Sequence, residues 1–273
     1  MPRKKKTQLT NENYYDLENR IKYASCSEFK SFCGNGKVQG CEARAMAELR
    51  GEWQEEPSQA LLEGAYVDRY FEGTLDSYIE ENKDIIFNRS GKKCAHYLHC
   101  DRAIERCLKD ELFMQFMSGE KQKIFTYDLF GLTWKSKLDV FHPDTAIIDL
   151  KYIKDIKEMK YVKDWGKMTW IEYFGYDYQG ALYQKAVEIN TGKKLPFFIC
   201  AVDKGEYPDI AIIQIPQSML DNALEIIEYQ AKRYKAVKYE GAEPDRCEEC
   251  NYCKSTRVLT KPILVSDLNN DVH

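Results

Sequence analysis

The spacing of apolar and polar residues changes along the chain, and each change marks an element. Leu138, Val140 and Phe141 open an apolar run. His142-Pro143-Asp144-Thr145 interrupt it and Ala146-Ile147-Ile148 resume it, which predicts two strands joined by a short polar turn. Lys121 to Trp134 reads as strand, turn and strand leading into that hairpin. Pro196–Val202 and Ile210–Ile215 are β-branched apolar runs around a polar 203–209 turn, hence two more strands.

Between these stretches the period becomes helical. The Cys41–Leu49 stretch predicts a helix with Arg50 in its last turn and Gly51 as its stop. Residues 58–81 predict another, with Ser58 as N-cap and Leu61, Leu62, Ala65, Tyr66 and Phe71 on its buried face. Residues 77–118 continue mainly as helix, with a loop at 88–91. After Gln179, the apolar positions Ala181, Leu182, Ala186 and Ile189 predict a helix, and 217–239 predict a long one. The expected domain plan is a flexible basic segment over 1–20, one domain over 21–255 and a loose polar tail over 256–273.

Composition narrows the class. A length of 273 residues with 44% hydrophobic content suits one sizeable α/β core, and 13% aromatic content is high. The net charge of −4 argues against a uniformly basic nucleic-acid coat, so any contact with a polyanion must be a local patch. No apolar run is long enough to span a bilayer. The basic start lacks the apolar stretch of a signal peptide. Ten cysteines in such a chain point to thiols or metal ligands in a reducing, cytoplasmic setting.

The hairpin carries charges that a strand core does not tolerate without reason. Asp139 interrupts the first apolar run, and Asp149 and Lys151 close the second. Side chains two apart on a strand share a face, so Asp149 and Lys151 point the same way, and pairing brings Asp139 toward them. Two carboxylates, with a main-chain carbonyl such as that of Leu150, offer hard oxygen ligands to Mg²⁺ or Mn²⁺. A metal so held activates water against a phosphodiester, with the lysine steadying the water or the phosphate. The alternative is a weak solvated ion pair on a surface hairpin. Gln179 and Tyr183, four apart, stack on one face of the following helix.

A D-x9-D-x-K hairpin followed by a Q-x3-Y helix resembles the PD-(D/E)xK nuclease superfamily, and most closely its RecE-type and lambda-type recombination exonucleases. The likeness spans residues 20–255 and implies an α/β nuclease core with a mixed central sheet flanked by helices. It implies catalytic roles for Asp139, Asp149, Lys151, Gln179 and Tyr183. Pro143-Asp144 is a decoy, because it stands too close to Asp149. Gly64 to Asp68 lies where RecE-type proteins carry G-x3-H, so Asp68 is a candidate further metal ligand, against the alternative of an exposed helical carboxylate. The resemblance also implies cutting of duplex DNA ends without ATP, beside a RecT-type single-strand annealing protein in a phage-bearing bacterial cell. Relatives of this kind are often ring-shaped homo-oligomers.

Cys247, Cys250 and Cys253 form a C-x2-C-x2-C run that needs a fourth ligand to hold one metal centre. In iron–sulfur members of the superfamily, AddB-type nucleases among them, an early cysteine joins three late ones. Cys41 stands in the matching place, with Cys33 as its rival. The late spacing departs from the usual C-x2-C-x5-C, which counts against the cluster without removing it; a 4Fe–4S cluster is still expected ahead of Zn²⁺, with unmetallated thiols as the alternative. Cys26, Cys94, Cys100, Cys107 and Cys200 read as ordinary buried or half-buried thiols, and His96 and His99 have no partner motif for zinc. The Lys-rich segment 152–172 interleaves Lys154, Lys160 and Lys163 with Tyr161, Trp165 and Trp170, a mixture that can grip a DNA backbone and stack on a base, or simply be solvated. Endonuclease action on the same fold, or DNA binding without cutting, are the competing functional expectations.

Overall fold

The computed structural model describes residues 8–262 and 264–265. Helices come first: α1 (Leu17–Lys22), α2 (Cys26–Cys33), α3 (Glu42–Arg50), α4 (Gln59–Glu72), α5 (Leu75–Glu81), α6 (Lys83–Ile86), α7 (Ala95–Leu108) and α8 (Glu111–Phe116). Strands β1 (Glu120–Leu129), β2 (Leu132–His142) and β3 (Ala146–Ile153) follow, then a small hairpin of β4 (Met159–Val162) and β5 (Gly166–Thr169). Next are α9 (Trp170–Tyr173), α10 (Tyr176–Thr191), β6 (Phe197–Asp203), β7 (Ile210–Gln214), α11 (Gln217–Tyr239) and α12 (Asn251–Ser255).

The main sheet has five strands in the order β1-β2-β3-β6-β7. Only β3 and β6 run parallel, joined through α10, so the sheet is mixed as expected. Alternation along β3 builds two cores. Ile147 and Ile153 pack with Trp134, Leu182, Ile199 and Tyr234 on the side of α2, α10 and α11. Ile148 and Leu150 pack with Tyr66, Tyr97, Ile104 and Phe113 on the side of α4, α7 and α8. Trp134, Phe29 and Tyr234 meet ring to ring, with Phe29 5.4 Å from Trp134 and 5.1 Å from Tyr234. Truncating one such fully buried ring costs about 3–5 kcal/mol.

Several expectations change. The helix over 58–81 is two helices, because Gly73 takes a left-handed C-cap (φ 78°) and ends α4. Leu61, expected on the buried face, is 63% exposed; Tyr66 is buried as expected, joined by Glu63 and Val67. Ile189 is exposed on α10. Residues 8–20 are not a loose segment: Tyr14 is buried, and α1 begins at Leu17. The Lys-rich stretch folds in part into the β4–β5 hairpin. Residues 257–262 of the expected tail are exposed and without helix or strand, and its end lies outside the described residues. Among the described residues no helix is long and apolar enough to cross a membrane.

Candidate active site

The site lies where β2 loses its neighbour. β3 pairs with β2 at Val140↔Ile148, Phe141↔Ile147 and His142↔Ala146, and the ladder then stops. At the other end of β2, Ala24 takes the same edge, accepting from the Lys135 amide and donating to the Thr133 carbonyl. Between these two pairings the edge of β2 is open. The next pair in the β2–β3 register would be Asp139 opposite Asp149, so both carboxylates stand in the crotch of a fork. Asp139 partly replaces the missing ladder, its Oδ2 accepting from the Leu150 amide at 3.0 Å.

A cleft of about 240 Å³ opens at this fork and brings together Asp68, Asp139, Asp149, Lys151, Gln179 and Tyr183. α4 presents Asp68 and, one turn on, Glu72. Gln179 on α10 donates to Asp149 Oδ1 at 2.7 Å and to the Tyr183 hydroxyl at 3.0 Å. Lys151 forms an ion pair with Asp149 Oδ2 and lies 4.8 Å from the centre of the Tyr176 ring. Leu150 points to the opposite core, so only its backbone belongs to the site. Asp144 is remote, exposed in the β2–β3 turn and ion-paired with Lys193.

Burial and like charge set the electrostatics. Burial pushes the Asp149 carboxyl up to about 7; Asp139 adds to the rise and Lys151 opposes it. Asp68 is raised well above the ordinary carboxylate range by burial, then by Asp139 and Asp149. Burial opposes the charge on Lys151, but Asp149, Tyr176, Asp139 and Asp68 outweigh it and raise its pKa, keeping it an ammonium. Acidic oxygens that repel one another in a half-closed cleft, with Lys151 paired to one of them, are a donor set that suits a hard divalent cation.

The sequence reading missed the rest of the cleft. Lys135, Lys137 and Asp139 share one face of β2, and Ser25 and Ser27 meet them from the start of α2. Lys135 is 2% exposed and donates to the Tyr14 carbonyl, and Lys137 lies 4.6 Å from the Tyr15 ring centre. The signal was present: extending the strand alternation back from Asp139 places Lys137 and Lys135 beside it. Tyr14 and Tyr15 carried no such signal.

The Lys-rich candidates stand apart from the cleft. Lys154 and Lys160 pair with Glu158 at 3.3 and 2.8 Å, and Trp165 is 57% exposed in the β4–β5 turn that also holds Lys163. The hairpin connects to the site through rings: Lys160 lies 5.7 Å from the Phe174 ring centre, and Phe174 lies 5.9 Å from Tyr176, which faces Lys151.

A second constellation joins the two ends of the chain. The Sγ atoms of Cys41, Cys247, Cys250 and Cys253 all lie within 4.8 Å of one another. Cys41 caps α3 and Cys250 caps α12, so Arg44 and Cys253 amides point at sulfur, and the Cys250 amide points at Cys247. Burial opposes ionisation of Cys247, yet N–H donors and neighbouring thiols bring it down to about 7. Such a cluster can bind a metal. Cys33 is not part of it. His96 pairs with Glu63 and His99 with Arg102.

A forked mixed sheet with acidic residues and a lysine at its crotch, and an amide-bearing helix behind, defines the PD-(D/E)xK nuclease class. The chain belongs to the PDDEXK-like domain of unknown function (DUF3799), whose family description matches residues 25–256. It is similar to the crystal structure of a candidate exonuclease from Eubacterium rectale, at 45% identity and a TM-score of 0.92, covering 97% of this chain and 99% of that one. Among curated proteins none matches.

Proposed function

We propose that the protein is a Mg²⁺-dependent, ATP-independent exonuclease that acts on double-stranded DNA ends and leaves single-strand overhangs. The observation that carries this is the fork, which gathers Asp68, Asp139, Asp149 and Lys151 into one cleft. The similarity to a candidate exonuclease over nearly the whole chain supports the choice of reaction. Asp139 and Asp149, with Asp68 and the Leu150 carbonyl, hold the cation, for which Mn²⁺ can substitute. When bound there, Mg²⁺ makes water a better nucleophile and steadies charge on the phosphate. Lys151, held as an ammonium, faces the scissile phosphate, and Gln179 and Tyr183 keep Asp149 in place. Lys154, Lys160, Lys163 and Trp165 guide the DNA toward the cleft, with Trp165 offering a ring for a base to stack on. The overhang is the substrate of a single-strand annealing protein, and the nuclease works in the cytoplasm as a homo-oligomer.

The cysteines are a structural centre. Thiolates on one tetrahedral Zn²⁺, each about 2.3 Å from the ion, sit closer together than thiolates around a cubane of four irons and four sulfides. Separations of 3.6 Å for Cys41–Cys253 and 4.0 Å for Cys247–Cys253 favour the single ion over the cluster expected from the sequence.

The test is digestion of linear and closed circular duplex DNA with Mg²⁺ and no ATP, with Asp149→Ala as control. Loss of the linear form alone, absent in the variant, is the expected result. Cutting of the circle replaces the reading with an endonuclease. Binding without cutting of either, by folded protein, makes it a DNA-binding member of the fold.

A further inference from the structure

Opposite Asp139, on the far side of β2 from β3, the β1–β2 ladder also fails. Lys121 pairs with Val140 and Lys123 with Leu138, but Gln122, directly across from Asp139, pairs with nothing. Its backbone takes a φ of 51°, the left-handed region that a glutamine inside a strand rarely visits. Its side chain lines the cleft that holds Asp139, Asp149 and Asp68.

The side-chain oxygen of Gln122 is buried and has no hydrogen-bond partner. An orphaned buried oxygen is costly, and Asp68, Glu72, Asp139 and Lys121 line the same space. The Lys121 ammonium donates to the Met117 carbonyl and keeps further N–H groups. Behind the cleft lies a cavity of about 10 Å³, bordered by Gln122, Asp68, Glu72, Asp139 and Leu150. That is near the lower limit for one water. A buried amide oxygen without a partner, in a space bordered by three carboxylates, calls for a cation or a proton donor beside it.

We propose that Gln122 supplies an oxygen to the hydrated divalent cation held by Asp139, Asp149 and Asp68. The assignment rests on the metal-dependent reading of the cleft. A side-chain amide is a hard, neutral ligand, so it adds coordination without adding to the charge repulsion already present among the carboxylates.

Mn²⁺ binding to metal-depleted cleft, followed by electron paramagnetic resonance of the free ion, tests this without activity. Wild type, Asp149→Ala, Gln122→Met, Gln122→Gly and Gln122→Glu are compared, with melting temperatures measured free of Mn²⁺. Gln122→Met and Gln122→Gly should weaken binding by about 10–100-fold. Gln122→Gly, free of the backbone strain, should melt at or above the wild-type temperature, which separates lost affinity from lost fold. Gln122→Glu should bind more tightly. Wild-type affinity in both Gln122→Met and Gln122→Gly overturns the assignment and leaves the metal reading standing. Wild type that binds no better than Asp149→Ala overturns both.

Discussion

At the scale of single residues, the site is a balance between burial and charge, and Asp149 shows it most clearly. The residue is 0% exposed and its carboxyl is pushed up to about 7 by burial. In the unfolded chain it ionises near the ordinary value of about 4. Between those values the folded protein holds a proton that the unfolded chain has released. The stabilising contribution of Asp149 in the metal-free protein is therefore lost as pH climbs from about 4 to about 7. In the proposed metal-dependent reaction Mg²⁺ needs the ionised form, so its affinity should rise across the upper part of the same window. The melting-temperature gain on adding Mg²⁺ should be larger at pH 8 than at pH 6, and Asp149→Asn should flatten that difference. Equal gains at both pH values would mean that Asp149 does not control cation binding. The D-x-K pair itself was legible in the sequence because strand alternation is local. Gln122 was not, because its role depends on a failed pairing with a residue on another strand.

At the scale of elements, α10 is held against the sheet by a close approach that only glycine allows. A Cβ on Gly180 would overlap the Phe197 ring and come within 2.9 Å of Leu220. Gly180→Ala gains up to about 1 kcal/mol of helix propensity, but the forced separation costs about 1–3 kcal/mol. The net effect should be a lower melting temperature. Because Gln179 and Tyr183 ride on α10, cleavage should fall further than stability does. An unchanged Mg²⁺-dependent rate at a temperature where the variant is folded would show that α10 can shift without moving Gln179. The β4–β5 hairpin makes the opposite prediction. Trp165→Ala removes an exposed ring, so melting should be unmoved while KM for duplex DNA rises several-fold, as measured by initial rates at varied DNA. Helix and strand types were readable from period, including β6, β7 and α11. The break at Gly73 was not, since a glycine near a helix end and one inside it look alike without the cap geometry.

At the scale of the whole molecule, the cysteine centre ties residue 41 to residues 247–253 and so fastens the last described helix to α3. Arg233 adds to the same junction by pairing with Glu42 and Asp245. Cys253 is fully buried, so Cys253→Ser should lower the melting temperature and remove one equivalent of metal per chain, measured by elemental analysis. Retention of metal by that variant would place the ion elsewhere. One zinc per chain, with no visible absorbance, is the expected content of the wild type.

Sequence alone determined the class of this protein, because its signals are short-range: alternation put Asp149 and Lys151 on one face, helical period stacked Gln179 over Tyr183, and the C-x2-C-x2-C run marked a candidate metal site. The rest depended on contacts between distant segments. The β2–β3 ladder ends beside Asp139, Ala24 claims the other end of the β2 edge, and α4 brings Asp68 across to the opening. Cys41, rather than Cys33, reaches the late cysteines because α3 packs against α12. Only the tertiary structure could decide these, since a cleft is made by elements failing to pair, and no local pattern of residues records where a partner strand turns away.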